Sequence, residues 1–152
     1  MIDVGQKLPD FTLENQDGQK KSAASYAGKW LVLFVYPKDD TPGCTLEARS
    51  FSATKADFDA AGAVIVGLSA DDVKSHKDFC DKFSLTNELL ADPATTLLSA
   101  LGVGQTDWKG TKFWDRTTFL VDPSGVVRKV YLKVDPKGHE KAVLDDIAKL
   151  KG

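Results

Sequence analysis

The sequence predicts an α/β fold in which a central mixed β-sheet is flanked by helices. Two continuous apolar runs, Trp30–Tyr36 and Ala63–Ser69, suit strands that are buried on both faces. Between the strands lie segments whose apolar residues recur at helical spacing, and a helix that joins two strands favours parallel pairing between them. The 152 residues show no repeat or linker, so we expect residues 1–152 to form one domain.

The N-terminal part of the chain is predicted to form a β-hairpin, the first buried strand and a long helix. The alternating segment Phe11–Glu14 runs into Asn15–Gly18, where an Asp-Gly pair favours a tight turn. Pro37 ends the first buried strand, and a helix is predicted to begin near Cys44 and to end at Gly62. Its apolar residues at helical spacing are Ala48, Phe51, Phe58 and Ala61.

The middle of the chain is predicted to contain two more helices. Asp71 or Asp72 is positioned to cap the first of them. The residues on one face of that helix are Val73, His76, Cys80 and Phe83. The second helix is predicted to open at Asp92–Pro93 and to run through Leu101.

The C-terminal part is predicted to form two strands and a final helix. The strand Thr117–Asp122 turns at Pro123–Gly125 into a second strand, Val126–Val134. The last helix carries one apolar stripe, formed by Val143, Leu144, Ile147 and Leu150. The strand–helix–strand unit from Trp30 to Ser69, followed by this hairpin and helix, looks like the thioredoxin arrangement, which by itself does not give a function.

The composition is that of a soluble globular protein, with 42% hydrophobic and 28% charged residues. A net charge of −2 and no basic run longer than Lys20–Lys21 argue against a nucleic-acid-binding protein. No apolar stretch approaches the ~20 residues of a membrane helix, and residues 1–7 lack the features of a signal peptide. We therefore expect a cytoplasmic protein, in which Cys44 and Cys80 are catalytic, redox-active or simply buried rather than a structural disulfide.

The segment after the first buried strand places Cys44 at the predicted start of a helix. In open α/β sheets, ligands bind beyond the carboxyl ends of strands. The unpaired backbone N–H groups and the positive dipole at a helix start both favour a thiolate over a thiol. Gly43 lets the backbone approach closely and leaves room for a small substrate. The segment predicts a reactive cysteine, although a cysteine near a helix start is often only an inert, buried residue.

Three parts of the chain resemble one enzyme family. Pro37, Thr41 and Cys44 match the peroxiredoxin signature of proline, three residues, threonine or serine, two residues and cysteine. The heptapeptide that begins at Thr41 resembles the bacterioferritin-comigratory, or peroxiredoxin Q, branch. Pro9–Leu13 is similar to that branch's first strand, and Arg116–Asp122 is similar to its late strand, which opens with an essential arginine.

The resemblance implies a thiol peroxidase that reduces hydrogen peroxide and organic hydroperoxides without a metal or cofactor. Cys44 would be the peroxidatic nucleophile. Arg116 would stabilise its thiolate and donate hydrogen bonds to the peroxide, for which a guanidinium with several donors is suited. The Thr41 hydroxyl and the backbone N–H groups of Gly43 and Cys44 would hold the peroxide, where charge develops as its O–O bond breaks.

Two more residues receive roles from the same resemblance. Pro37 would shield the site from water, which strengthens the polar contacts inside it. Glu47 would pair with Arg116 or a neighbour and fix its orientation. Each residue also has an ordinary structural explanation: Thr41 as a helix cap, Glu47 as a first-turn carboxylate, and Arg116 as a surface residue before a strand.

The resemblance also bears on how oxidised Cys44 is recovered, since its sulfenic acid must condense with a thiol. One resolving position in the family lies five residues later and is Arg49 here, whereas the other lies on the next helix and fits Cys80. A Cys44–Cys80 disulfide, reduced by an external dithiol protein such as thioredoxin, is therefore implied, in a monomer. A disulfide needs Cα atoms within ~7 Å, so we expect the first turn around Cys44 to unwind. Alternatively, Cys80 is a core residue and the protein is a one-cysteine peroxidase that uses an external thiol.

Two other functional classes remain open. The first is a non-catalytic thioredoxin-fold binding or holdase protein with a vestigial thiol. The second is a metal protein whose ligands would be Cys44, His76, Cys80 and His139. Against that set, His139 lies in a polar stretch and is expected to be solvated. The aromatic residues before Arg116 either line the peroxide pocket or cover the core; they are Trp108, Phe113 and Trp114.

Overall fold

A seven-stranded mixed sheet lies at the centre of the structure, a computed structural model that describes residues 1–151. The strands, in chain order, are β1 (Thr12–Asn15), β2 (Lys20–Ser22), β3 (Trp30–Val35), β4 (Ala63–Ser69), β5 (Glu88–Ala91), β6 (Gln105–Trp108), β7 (Thr111–Trp114), β8 (Thr117–Val121) and β9 (Val127–Tyr131). The helices are α1 (Pro42–Ala53), α2 (Lys55–Ala60), α3 (Val73–Phe83), α4 (Thr96–Leu101) and α5 (His139–Lys151), and a 3-10 helix spans Ala23–Tyr26.

The strand order in the large sheet is β2-β1-β5-β4-β3-β8-β9, and β6 and β7 form a separate two-stranded hairpin. β3 pairs in parallel with β4, and β4 with β5, while the other neighbours are antiparallel. The predicted mixed sheet is therefore confirmed. β3 and β8 run in opposite directions with Val35 opposite Thr117, so the end of β3 lies beside the start of β8.

The two faces of the sheet are covered by two hydrophobic clusters, and β3 contributes to both because its side chains alternate. Trp30, Val32 and Phe34 face the first cluster, which contains side chains of α1, α2, α3 and α5. Leu31, Leu33 and Val35 face the second cluster, which contains the three buried leucines of α4. We call these the α1 cluster and the α4 cluster. Cys44 and Cys80 both belong to the α1 cluster.

Several predicted elements are present with small shifts at their ends. The N-terminal hairpin is confirmed by the pairing of Thr12 with Ser22. Of the two candidate caps for α3, Asp72 is the N-cap, and its side chain accepts a hydrogen bond from the Ser75 N–H at 2.8 Å. No helix among residues 1–151 is both long enough and apolar enough to cross a membrane.

Other predictions differ from the structure for identifiable reasons. The single helix predicted to end at Gly62 is two helices that meet at Thr54, where the threonine hydroxyl donates to the Ser50 carbonyl at 2.8 Å and competes with the helical pattern. The helix predicted from Asp92 begins at Thr96, because the Asp92 carboxylate accepts the Thr96 and Leu98 N–H groups. β5 and the β6–β7 hairpin were not predicted.

Candidate active site

Cys44 is the third residue of α1, at the point where the chain leaves the end of β3. Pro42 occupies the first helical position, which suits a residue without an N–H, and Thr41 is the N-cap. The bond from the Thr45 N–H to the Thr41 carbonyl, at 2.8 Å, is the first of the helix. The N–H groups of Gly43 and Cys44 therefore precede the helical hydrogen-bond ladder and are available as donors. The Cys44 side chain is only 1% exposed.

Arg116 lies between Cys44 and Glu47 and contacts both. Its Nη2 is 3.4 Å from Cys44 Sγ, and its Nη1 donates to Glu47 Oε1 at 2.8 Å. The sheet brings these residues together, because Arg116 directly precedes β8 and β8 is the antiparallel neighbour of β3. The structure thus places Arg116 against Cys44 and Glu47, the residues with which the family resemblance associated it.

Glu47 is one turn after Cys44 on α1 and is also 1% exposed. Burial raises the pKa of Glu47 to about 7, and the positive charge of Arg116 opposes that rise. Among residues 1–151, Glu47 Oε2 has no hydrogen-bond partner. Burial also acts to lower the pKa of Arg116. The interactions of the guanidinium with Cys44 and Glu47 have the larger effect and hold that pKa above its ordinary value. The guanidinium is thus a permanent cation shared by a sulfur and a carboxylate.

Gly43 allows Arg116 to reach the sulfur. A Cβ atom at position 43 would lie 2.9 Å from Arg116 Nη2, which is closer than two such atoms normally approach. The group that approaches this glycine closely is the guanidinium, whereas the sequence prediction left the space for a small substrate. Any larger residue here would displace the group that contacts Cys44.

Thr41 and Pro37 lie on the loop of residues 36–41 that joins β3 to α1, and both are half-buried. The Thr41 hydroxyl donates to the Lys38 carbonyl at 3.0 Å, within the same loop. Its position three residues before Cys44, at the cap of the helix, keeps it next to the free N–H groups of the first turn.

Cys80 lies near the end of α3 and is 7% exposed, and like Cys44 it is a free thiol. Burial raises the pKa of Cys80 to about 12, with further contributions from the negative charges of Asp39, Asp81 and Asp17. The two cysteines are therefore on separate helices within one cluster, in different electrostatic surroundings.

The prediction that His139 is solvated is wrong. His139 is 8% exposed, its Nε2 lies 2.9 Å from Thr118 Oγ1, and its ring makes edge contacts with Phe51 and Tyr131. Burial, and then the charge of Arg116, lower the pKa of His139 to about 4. The polar residues that precede His139 concealed this position, since the first residue of α5 packs against the sheet.

The four residues weighed as metal ligands do not form a cluster within residues 1–151, where the one group with metal-ligand spacing is Asp39, Asp71 and His76. The aromatic residues before Arg116 belong to the β6–β7 hairpin. Trp108 is 63% exposed, and Trp114 packs against the α4 cluster, on the opposite face of the sheet from Cys44. The structure therefore favours a covering role for Trp114 over a place in the peroxide pocket.

A buried polar cluster below the loop of residues 36–41 was missed by the sequence interpretation. Asp39, 6% exposed, lies 2.7 Å from Nδ1 of the fully buried His76 and accepts a hydrogen bond from the Tyr36 hydroxyl. An acidic residue three positions after a buried strand was the available signal, but sequence alone does not identify its partner on another helix.

The comparisons with known proteins give a consistent result. Residues 4–130 match the model of the AhpC/TSA family. The chain is 41% identical over 149 residues to a peroxiredoxin Bcp of Helicobacter pylori, and the match covers 96% of this chain and 98% of that protein.

Solved structures of one Xanthomonas campestris protein, described as bacterioferritin comigratory protein or peroxiredoxin Q, agree with this. One, reported for its alkyl peroxide reduction activity, is 36% identical, has a TM-score of 0.90 and matches over 99% of this chain and 100% of that one. Two others each carry serine in place of one cysteine; they are 36% and 37% identical, with TM-scores of 0.91 and 0.89, and cover 99% and 97% of this chain and 100% and 99% of those chains.

The likeness extends over nearly the whole chain, so the fold and the chemistry of the family apply to it. The structural neighbours are thioredoxin-fold peroxiredoxins, which confirms the fold expected from the strand–helix–strand unit. Family membership also favours an enzyme over a non-catalytic binding protein. The chain belongs to the AhpC/TSA family and is a peroxiredoxin, a thiol-dependent peroxidase.

Proposed function

We propose that this peroxidase uses Cys44 as the peroxidatic nucleophile and Cys80 as the resolving thiol. The observation that carries the first assignment is the 3.4 Å contact between Arg116 Nη2 and Cys44 Sγ at the start of α1. Of the two cysteines, this one combines a helix N-terminus with a cation. Both features favour the thiolate, which is the form that attacks a peroxide.

In the first step, the Cys44 thiolate attacks the terminal peroxide oxygen, an S–O bond forms and the O–O bond breaks. The departing alkoxide or hydroxide takes up a proton and leaves as an alcohol or water, and Cys44 becomes a sulfenic acid. Arg116 and the N–H groups of Gly43 and Cys44 donate to the oxygens as negative charge moves onto them. Rotation of the Thr41 hydroxyl away from the Lys38 carbonyl adds a further donor.

Glu47 and Pro37 support this arrangement. The ion pair of Glu47 with Arg116 fixes one side of the guanidinium, so that Nη2 remains directed at the sulfur. Pro37, half-buried between β3 and α1, keeps water from the site. A dry site makes each charge-assisted hydrogen bond to the peroxide stronger than it would be in water.

In the second step, the Cys80 sulfur attacks the Cys44 sulfenic acid, so that an S–S bond forms and the S–O bond breaks. The hydroxyl group leaves with the thiol proton of Cys80 as water. Both thiols lie in the α1 cluster, which supports this pairing. The two cysteines replaced by serine in the X. campestris structures have the same sequence spacing as Cys44 and Cys80.

The second step requires local unfolding, because both cysteines are held within intact helices. We expect the first turn of α1 to unwind, after which thioredoxin or a similar dithiol protein reduces the disulfide. The substrates are hydrogen peroxide and alkyl hydroperoxides, the latter by likeness to the X. campestris protein. We also propose that the chain acts as a cytoplasmic monomer.

One measurement tests these assignments together. The fully reduced protein is treated with one equivalent of hydrogen peroxide, its remaining thiols are counted, and its cysteine-linked peptides are mapped by mass spectrometry. Loss of both thiols into a Cys44–Cys80 link is the expected result. Loss of the Cys44 thiol alone would make Cys80 structural and the protein a one-cysteine peroxidase, and survival of the Cys44 thiol would overturn its assignment as the nucleophile.

A further inference from the structure

The loop of residues 36–41 is fastened to α3 by buried polar contacts that the peroxide chemistry does not use. Asp39 is at their centre. Its Oδ1 accepts from the Tyr36 hydroxyl at 2.5 Å, and its Oδ2 accepts from the Ser75 hydroxyl at 2.8 Å and lies 2.7 Å from His76 Nδ1. Asp39 is 6% exposed and His76 is 0% exposed, so water does not compete for these bonds.

The hydrogen-bond partners of His76 define where its protons are. Its Nε2 lies 2.8 Å from the Leu90 carbonyl, which can only accept, so Nε2 carries a hydrogen. Its Nδ1 lies 2.7 Å from the Asp39 carboxylate and 3.4 Å from the Tyr36 hydroxyl. Asp39 and His76 therefore form a buried, hydrogen-bonded pair. Removing one member leaves the other buried without its partner, which is costly.

The backbone of the loop is tied to the same region. The Asp39 N–H donates to Asp71 Oδ2 at 2.9 Å, and the Ser69 hydroxyl donates to the same oxygen at 2.7 Å. An exposed ion pair, Lys82 with Asp40 at 2.7 Å, also joins the loop to α3. Because both of its side chains are open to solvent, this second pair contributes little, and it offers a matched control.

Cys80 lies one helical turn after His76 on α3. After burial, the charge of Asp39 is the next contribution to the raised pKa of Cys80. While the loop and helix are fastened, the thiol is held within α3 and is kept protonated, and a thiol is a poor nucleophile. Movement of α3 away from Asp39 relieves both restraints at once.

We propose that Asp39 and His76 form a latch between the Cys44 loop and α3, and that opening this latch limits the rate at which Cys80 forms the disulfide with Cys44. They are positioning residues for the resolving step, in which the S–S bond forms and water leaves. The inference rests on the proposed resolving role of Cys80. It assigns the two residues no part in the attack on the peroxide.

The test compares Asp39→Asn and His76→Gln with the control Asp40→Asn. Reduced protein is mixed with peroxide and quenched at short times, and mass spectrometry quantifies the Cys44 sulfenic acid, trapped with dimedone, and the Cys44–Cys80 disulfide. We expect the latch variants to form the disulfide about 10-fold faster or more, as the loss of a charge-assisted hydrogen bond implies. Oxidation of Cys44 should stay within about threefold, and Asp40→Asn should change neither step beyond about twofold.

Three results separate this inference from the proposed function. If the wild-type protein forms no Cys44–Cys80 disulfide, the resolving role itself fails. If the disulfide forms but the latch variants match the wild-type rate, or slow both steps together, the latch is overturned. If circular dichroism shows that a latch variant does not fold, Tyr36→Phe is used in its place, since it removes one hydrogen bond to Asp39. An unchanged rate of disulfide formation in Tyr36→Phe would also overturn the latch.

Discussion

The two cysteines of this peroxiredoxin lie in one hydrophobic cluster, are both almost fully buried, and yet have opposite electrostatic surroundings. Cys44 stands at the start of α1 with a guanidinium 3.4 Å from its sulfur. Cys80 stands near the end of α3, where the dipole is negative; burial, and then three carboxylates whose effect Lys77 only partly opposes, raise its pKa to about 12. Similar burial therefore does not give the two thiols similar surroundings, because a cation lies beside one sulfur and carboxylates lie near the other.

This difference supports the order of steps in the proposed mechanism. In the proposed mechanism, the thiol beside the cation reacts with the peroxide first, and the thiol beside the carboxylates follows after a conformational change. Two activated thiols would give peroxide two cysteines to oxidise, whereas in the proposed mechanism only one cysteine is activated.

The largest expected effect comes from replacing each cysteine by serine in a separate variant. Cys44→Ser should reduce the rate of peroxide consumption by about 10⁴-fold or more, since the nucleophile is lost. Cys80→Ser should still consume one equivalent of peroxide in a first turnover and then stop in the presence of thioredoxin. Stopped-flow measurement of peroxide consumption checks both, and a Cys80→Ser variant that fails in its first turnover would contradict the contrast drawn between the two sites.

The next effect concerns the cation. Arg116→Lys keeps a positive charge but loses the fork that contacts Cys44 and Glu47 together, so Cys44 oxidation should slow by about 10²–10³-fold. The matched control is Arg128→Lys, because Arg128 is partly exposed and pairs with Asp122. Single-turnover kinetics with a limiting amount of peroxide give the rates. Equal rates for the two variants would show that the charge, and not the geometry, is what Cys44 needs.

A smaller effect is expected from Gly43→Ala. The added Cβ would lie 2.9 Å from Arg116 Nη2 and would push the guanidinium away from the sulfur. We expect Cys44 oxidation to slow about 10-fold, while thermal stability stays equal or rises slightly because alanine favours a helix. Thermal unfolding followed by circular dichroism separates the two effects, and a variant with unchanged kinetics would show that Arg116 has room to move.

The smallest effect is a change in how stability depends on pH. Burial raises the pKa of Glu47 to about 7 from an ordinary 4.5. The folded protein therefore keeps a proton that the unfolded chain has released, so the contribution of Glu47 to stability falls as pH rises between these values and stays low above them.

Glu47→Gln removes this dependence. Between about pH 5 and pH 8 the free energy of unfolding of the wild type should fall by about 2–3 kcal/mol more than that of the variant. Urea denaturation of the reduced protein at both pH values measures it, with the exposed Glu14→Gln as control. Parallel curves for Glu47→Gln and the wild type would show that Arg116 fully offsets the burial of this carboxylate.

The central fold could be predicted because its signals are local. β3 and β4 are unbroken apolar runs, and α3 and α5 place apolar residues at helical spacing. β5 has only four residues, and β6 and β7 are exposed, so neither carries enough alternation to be recognised. The break between α1 and α2 at Thr54 depends on a hydrogen bond from the Thr54 hydroxyl to the Ser50 carbonyl, which the spacing of apolar residues does not reveal.

The candidate site likewise contains residues that the sequence identified and residues that it did not. The Cys44 segment and Arg116 were identified by family resemblance, and the structure places them in contact. The pairing of Asp39 with His76 spans 37 residues and depends on which polar side chains become buried together, so no local pattern predicts it. His139 was misjudged for the same reason, since its neighbours in sequence are polar and its neighbours in space are aromatic.

The antiparallel pairing of β3 with β8 has a consequence for the newly made chain. Arg116 follows Cys44 by 72 residues, and it reaches the sulfur only when β8 has joined the sheet. A ribosome-bound chain that ends before residue 116 contains the cysteine but not its guanidinium partner, and in a partly folded chain the two are not in contact. On the proposed roles of Cys44 and Arg116, we expect the reactivity of Cys44 toward peroxide to arise only after β8 has joined the sheet.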